Sequence, residues 1–205
     1  MKVDIGFVVL ALFGGMVAQD QMSAQDVKWK DYGEDPMANP QFMQDWNASA
    51  EVGEHHKTLQ QTAGTFEVAG KMWMGPGTEA MPSTATASRK SLLGGRYVME
   101  EYKSSFMGMP FEGVLLQGYD NLAGEHFSIW MDSMSTWPSI SRGKMGEDGK
   151  IHYTGTMKDV MTPGGRPTSS TIEEHEGGGW TMAMFDSTPT GDEFKVMELN
   201  YAAKK

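Results

Sequence analysis

The chain contains no cysteine. Disulfides, thiol nucleophiles and the cysteine-dependent lipid-modified leader are therefore all excluded, and the fold must be held by burial alone. Positive charge is scarce as well: 17 Lys and Arg face 27 Asp and Glu, for a net charge of −10. A surface for nucleic acid or anionic lipid needs the opposite field, so neither partner is expected. Long apolar runs are missing too. The longest, Ile5 to Ala18, is about 14 residues, short of the roughly 20 needed to span a bilayer. There is no Gly-Xaa-Ser-Xaa-Gly elbow, no His-Glu-Xaa-Xaa-His and no phosphate-cradling Gly-Xaa-Xaa-Xaa-Xaa-Gly-Lys. No catalytic residue, metal site or cofactor is assigned from sequence.

The apolar run suits a secretory signal. Lys2 gives a positive start, and Met16-Val17-Ala18 offers a small residue at a cleavage point before Gln19-Asp20-Gln21. Residues 1–18 are thus expected to be a signal peptide, with no integral membrane span once it is removed and a periplasmic or extracellular destination. Residues 19–39 are polar and acidic and read as a flexible linker. Asn39-Pro40 is a helix start, because Asn caps free amides and Pro is tolerated in the first turn. Phe42, Met43, Trp46 and Ala50 then form one apolar stripe. After Gly53 a second helical stretch runs from Glu54 to Ala63, with Gly64 as its stop. Residues 40–63 are expected to cap one end of the domain that follows.

From Gly64 the period changes to two. Phe66, Val68, Gly70, Met72 and Met74 alternate with Glu67, Ala69, Lys71 and Trp73. Similar runs recur to Tyr201, separated by turn chemistry such as Gly75-Pro76-Gly77, Gly108-Met109-Pro110, Asp148-Gly149 and Pro163-Gly164-Gly165. Asp148-Gly149 is the sharpest hairpin signal, expected to form a type I′ turn. Connections this short cannot be parallel crossovers. The expected fold is all-β, an antiparallel up-and-down meander over residues 64–205, closed into a barrel of about ten strands so that no edge is left bare.

Side chains with chemical potential are few. Of five histidines, His55 and His56 are about 100° apart on a helix and cannot easily share one metal, while His175 lies beside Glu173 near a glycine-rich turn. His126, Ser128, Trp130 and Asp132 share one face of a strand, and Phe127, Ile129 and Met131 the other; either face can look inward. Nineteen methionines is far above ordinary usage. Met72/Met74, Met107/Met109 and Met182/Met184 are spaced to share a strand face. Thioethers either fill an adaptable lumen or bind Cu(I), with Trp73 adding a cation–π contact. Arg96 is either an anchor for an anionic head group or one half of a rim salt bridge.

Glu54-His55-His56 with Leu59, then Gly64-Thr65-Phe66, Leu93-Gly94-Gly95-Arg96, Gly108-Met109-Pro110-Phe111-Glu112-Gly113 and Gly118-Tyr119-Asp120 follow one another in a recognisable order. In these residues the chain resembles the bacterial domain-of-unknown-function family 1579. The resemblance implies a small lipocalin-like (calycin) barrel and brings no activity. It departs at Phe66, where such barrels usually open Gly-Xaa-Trp, so an indole hydrogen bond is lost at the floor.

Together these readings favour a non-catalytic carrier of a small apolar or amphipathic ligand, contacted by Trp73, Arg96, Tyr119, His126 and Trp130. One alternative is an acid–base enzyme pairing His126 with Asp132 or Tyr119. Another is a periplasmic Cu(I) or haem binder, and a third an envelope-interaction module.

Overall fold

The computed structural model describes residues 27–176 and 178–204. The expected signal segment and the first part of the linker lie outside the described residues. The described residues to Gln44 belong to one compact unit and those from Asp45 to a second. In the first, a single 3-10 turn covers Pro36–Ala38. Asn39 then starts α1 (Pro40–Ala50), its side-chain oxygen accepting the Gln41 amide at 2.9 Å. Its side-chain amide donates to the Tyr32 carbonyl, and the Tyr32 ring meets Phe42 edge-on.

Helix α1 has no buried residue, and Trp46 is well exposed. Helix α2 (Glu54–Gln61) buries His56 and Leu59. The His56 Nδ1, three residues into the helix, accepts the amide of the N-cap Gly53 at 3.2 Å, the return half of a capping box. Gly64, at φ +149°, turns the chain out of this helix into the sheet.

Ten strands follow: β1 (Gly64–Met72), β2 (Met81–Leu92), β3 (Tyr97–Phe106), β4 (Met109–Asp120), β5 (Glu125–Asp132), β6 (Ser139–Met145), β7 (Ile151–Met157), β8 (Arg166–Glu174), β9 (Trp180–Ser187) and β10 (Glu193–Ala203). Each pairs antiparallel with the next, and β1 pairs with β10 from Phe66↔Ala203 to Met72↔Met197, so the sheet is a closed ten-stranded barrel. The alternation seen in sequence is the in–out alternation of the wall. Phe66, Val68 and Gly70 are buried, while Thr65, Glu67, Ala69 and Lys71 are exposed. Outside, charges pair across strands, Lys90 with Glu101 and Lys150 with Glu173, as on a wall that faces water. No helix among the described residues is long and apolar enough to cross a membrane.

The turns correct one expectation. Asp148-Gly149 sits in a longer connection in which the Gly146 amide donates to the Lys150 carbonyl, and of that dipeptide only Gly149 has positive φ. The two-residue hairpin is Met107-Gly108, at φ +50° and +81°, between the paired Phe106 and Met109. Strand β4 therefore begins before Pro110, not after it.

The core is Phe66, Val68, Ala87, Tyr102, Trp180, Leu199 and Tyr201, flanked by Phe111, Trp130, Ile172, Met182 and Met197. Burying each large side chain contributes roughly 1.5–3 kcal/mol. Helix α2 packs on β3, β4 and the Leu93–Gly95 turn, closing that end. Gly95 has φ +92°, a backbone conformation that side chains with a Cβ rarely adopt, and a Cβ there would also displace the Gln60 side-chain amide.

Candidate functional site

The lumen has three levels, and each is set by the register of the inward-facing residues. In its interior is a charged plug. Arg89 of β2 lies directly opposite Glu100 of β3, and both side chains are almost fully buried. Arg89 Nη1 donates to Glu100 Oε2 at 3.0 Å, and Nη2 donates to Gln117 Oε1. The Tyr201 hydroxyl donates to Glu100 Oε1 at 3.1 Å, and the guanidinium stacks on Trp180 at 4.6 Å. Burial pushes the Glu100 carboxyl up, opposed by the neighbouring guanidinium, and pushes Arg89 down, opposed by Glu100. The Tyr102 and Tyr153 hydroxyls are raised to about 12, chiefly by burial. Nothing in the sequence reading selected Arg89, Glu100 or Gln117. The one available signal was that Arg89 shares its parity with Ala85 and Ala87, but Thr84, Thr86 and Ser88 make the other face equally polar.

Toward α2 lies an imidazole cluster. His55 stacks on Tyr119 with centroids 4.0 Å apart, and His126 meets Tyr119 edge-on at 4.9 Å and His55 at 5.4 Å. His56 Nε2 lies 3.2 Å from the Tyr119 carbonyl. His126 is 4% exposed, and neither ring nitrogen has a hydrogen-bond partner among the described residues. Burial, reinforced by His55 and His56, lowers its pKa to about 4. The acid–base pairs considered from sequence do not form. Tyr119 offers His126 a ring face and no hydrogen bond, while Asp132, at the far end of β5, accepts the Trp130 indole at 2.9 Å.

The opposite end is open. A cavity of about 200 Å³ lies there, lined mainly by apolar groups including Met72, Tyr102, Phe111, Met134, Met197 and Leu199. At the same end of the barrel, where β8 begins and β9 ends, Arg166 is fully engaged: Nε and Nη2 donate to the two Asp186 oxygens at 2.7 and 2.6 Å, and Nη1 donates to Asp159 and Thr162. This pairing holds the Asp159 carboxyl at about 2. A larger, more polar concavity of about 420 Å³ lies between the end of α2 and the β8–β9 turn, lined by Gln61, His175 and Lys204 and by the core rings Phe66 and Trp180, among others.

The five residues singled out from sequence are dispersed over these levels. Tyr119 and His126 meet at the capped end. Trp130 faces the open half of the lumen, packed on Tyr102 and Phe111, and register now fixes the His126–Asp132 face as the inner one. Arg96 donates to the carbonyls of Leu93 and Ala50, tying the β2–β3 turn to the end of α1. Trp73 follows β1, with Lys195 Nζ 5.4 Å from its ring. The lumen histidine and the open cavity thus lie at opposite ends. Among the described residues no group of three or more His, Asp or Glu is placed to hold a metal.

These features define a class: an up-and-down antiparallel barrel, closed by a helix at one end, plugged by a buried ion pair and open at the other. The chain belongs to the family described as Protein of unknown function (DUF1579), whose model matches residues 51–203, from just before α2 to the end of β10. No curated protein matches it.

Proposed function

We propose that this chain is an exported, non-catalytic binding protein that holds a small apolar or amphipathic ligand in the open mouth of its lipocalin-like barrel. The observation that carries the reading is the position and lining of the cavity. Its sides are Met72, Phe111 and Met197, and its floor is Tyr102 and Leu199, above the charged plug. The volume of about 200 Å³ is below the roughly 300–1,000 Å³ of sites for drug-sized molecules, which fits a small ligand or the tail of a longer one. Flexible thioethers adapt such a wall to different shapes. With Arg166 already neutralised by two carboxylates, the mouth favours an uncharged ligand end over an anionic one. Export rests on the leader-like first 18 residues.

The test is saturable binding of the neutral probe N-phenyl-1-naphthylamine, alongside native mass spectrometry of gently purified protein. Met197→Trp fills the cavity and is expected to weaken probe binding at least tenfold while the fold persists. Non-saturable binding, or an unchanged affinity in that variant, overturns the reading.

A further inference from the structure

The open end carries a second pattern that an apolar pocket does not require. Met72 of β1 is directly paired with Met81 of β2 on one side and with Met197 of β10 on the other, and Met197 is paired with Met184 of β9. Directly paired residues share a sheet face. Four methionines on four adjacent strands therefore form one row on the inner wall. Met72 and Met197 line the cavity, and Met134, from the β5–β6 connection, lines the same space. Leucine would pack such a wall as well; a continuous row of sulfur would not be needed.

We propose that this row is a soft monovalent cation site, taking Cu(I). Paired Cβ atoms in antiparallel strands are about 4.5–5.5 Å apart, and each methionine has three rotatable bonds, so the sulfurs of Met72, Met197 and Met184 can converge on one ion. Thioethers are neutral, soft donors. They select Cu(I) and its redox-inert surrogate Ag(I) over Zn(II) or Cu(II), which need imidazole, thiolate or carboxylate ligands. Among the described residues no group of three or more His, Asp or Glu is placed to hold a metal; His126 is sealed at the capped end, the chain has no cysteine, and Asp159 and Asp186 are held by Arg166. A net charge of −10 draws cations toward the protein. Binding involves no electron transfer, so no co-reactant is needed. The inference is independent of the apolar-ligand reading, although both use the same end of the barrel.

The experiment is titration of the full chain with Ag(I) by calorimetry and with Cu(I) in competition with a chromophoric chelator. One tight site per chain is expected, with an all-sulfur environment by X-ray absorption. The double variant Met72→Leu/Met197→Leu nearly conserves side-chain volume. It should lose at least 30-fold in cation affinity while binding N-phenyl-1-naphthylamine within about twofold of the parent. Met107→Leu/Met109→Leu, at an exposed hairpin, should leave cation affinity unchanged. Only weak binding at several sites, or equal losses in the two double variants, overturns the proposal. Intact cation binding in Met72→Leu/Met197→Leu also overturns it, whereas a parent chain that binds the cation tightly but not the probe sinks the apolar-ligand reading alone.

Discussion

Glutamine at position 100 is the sharpest test of the charged plug. Glu100→Gln keeps the size of the side chain but removes its charge, leaving the Arg89 guanidinium buried without a counter-ion. Breaking a buried pair from one side costs about 3–5 kcal/mol. At roughly 2–4 °C per kcal/mol for a chain of this size, the melting temperature should fall by about 6–20 °C. Arg89→Met should cost a similar amount and additionally lose the stack on Trp180. Its cost should also depend on pH. Burial already raises the Glu100 pKa, and removing the guanidinium raises it further. A carboxyl raised in the folded state is best tolerated when protonated. The variant is therefore least impaired in acid and loses about 1.4 kcal/mol per unit as pH rises toward the displaced pKa. The double change Arg89→Met/Glu100→Met removes both charges and leaves only the Gln117 carbonyl and the Tyr201 hydroxyl without their partners. It should sit about 1–3 kcal/mol below the parent, not at the sum of the single losses. Urea unfolding at several pH values measures all three. Single losses under about 1 kcal/mol, or a double loss equal to their sum, would refute the view that the plug is a coupled pair.

Two further outcomes follow from the lumen. His126, whose pKa is lowered from 6.5 to about 4, is neutral in the fold but protonates readily once unfolded. Its contribution is complete above pH 6.5 and is lost as pH falls toward 4, about 3 kcal/mol in all. His126→Phe should flatten the parent's decline in urea midpoint over that range, and parallel curves for the two proteins would contradict the assignment. A Cβ at Gly113 would lie 2.2 Å from the Trp130 ring, so Gly113→Ala should displace the indole from Asp132 and cost about 1–3 kcal/mol, read by intrinsic fluorescence and thermal unfolding.

The barrel was legible because its strands obey one physical rule. A wall with one dry and one wet face imposes a period of two, and Gly and Pro mark where it turns. Phe66 and Val68 against Glu67 and Lys71 show that rule plainly, and the strand count followed from it. The plug was not legible, because Arg89 lies inside while Thr84, Thr86 and Ser88 of the same strand lie outside, and a sequence cannot say that Glu100 stands across from Arg89. Strand β5 hid its inner face for a similar reason, since Trp130 and Phe127 balance each other. The methionine row is a matter of register between strands. Along the chain, Met72/Met74 looked like the pair, yet β1 ends at Met72, and its sulfur neighbours come from about ten and more than 120 residues away. Asp148-Gly149 shows the opposite failure: the favoured turn residues are present, but the loop around them is longer than two residues.

The pairing of β1 with β10 orders events in time. The first strand to leave the ribosome must wait for the last eleven residues of sheet before it gains its second neighbour. Until then the nascent polypeptide cannot complete its ring. A stop codon anywhere before Glu193 would leave the seam permanently unzipped.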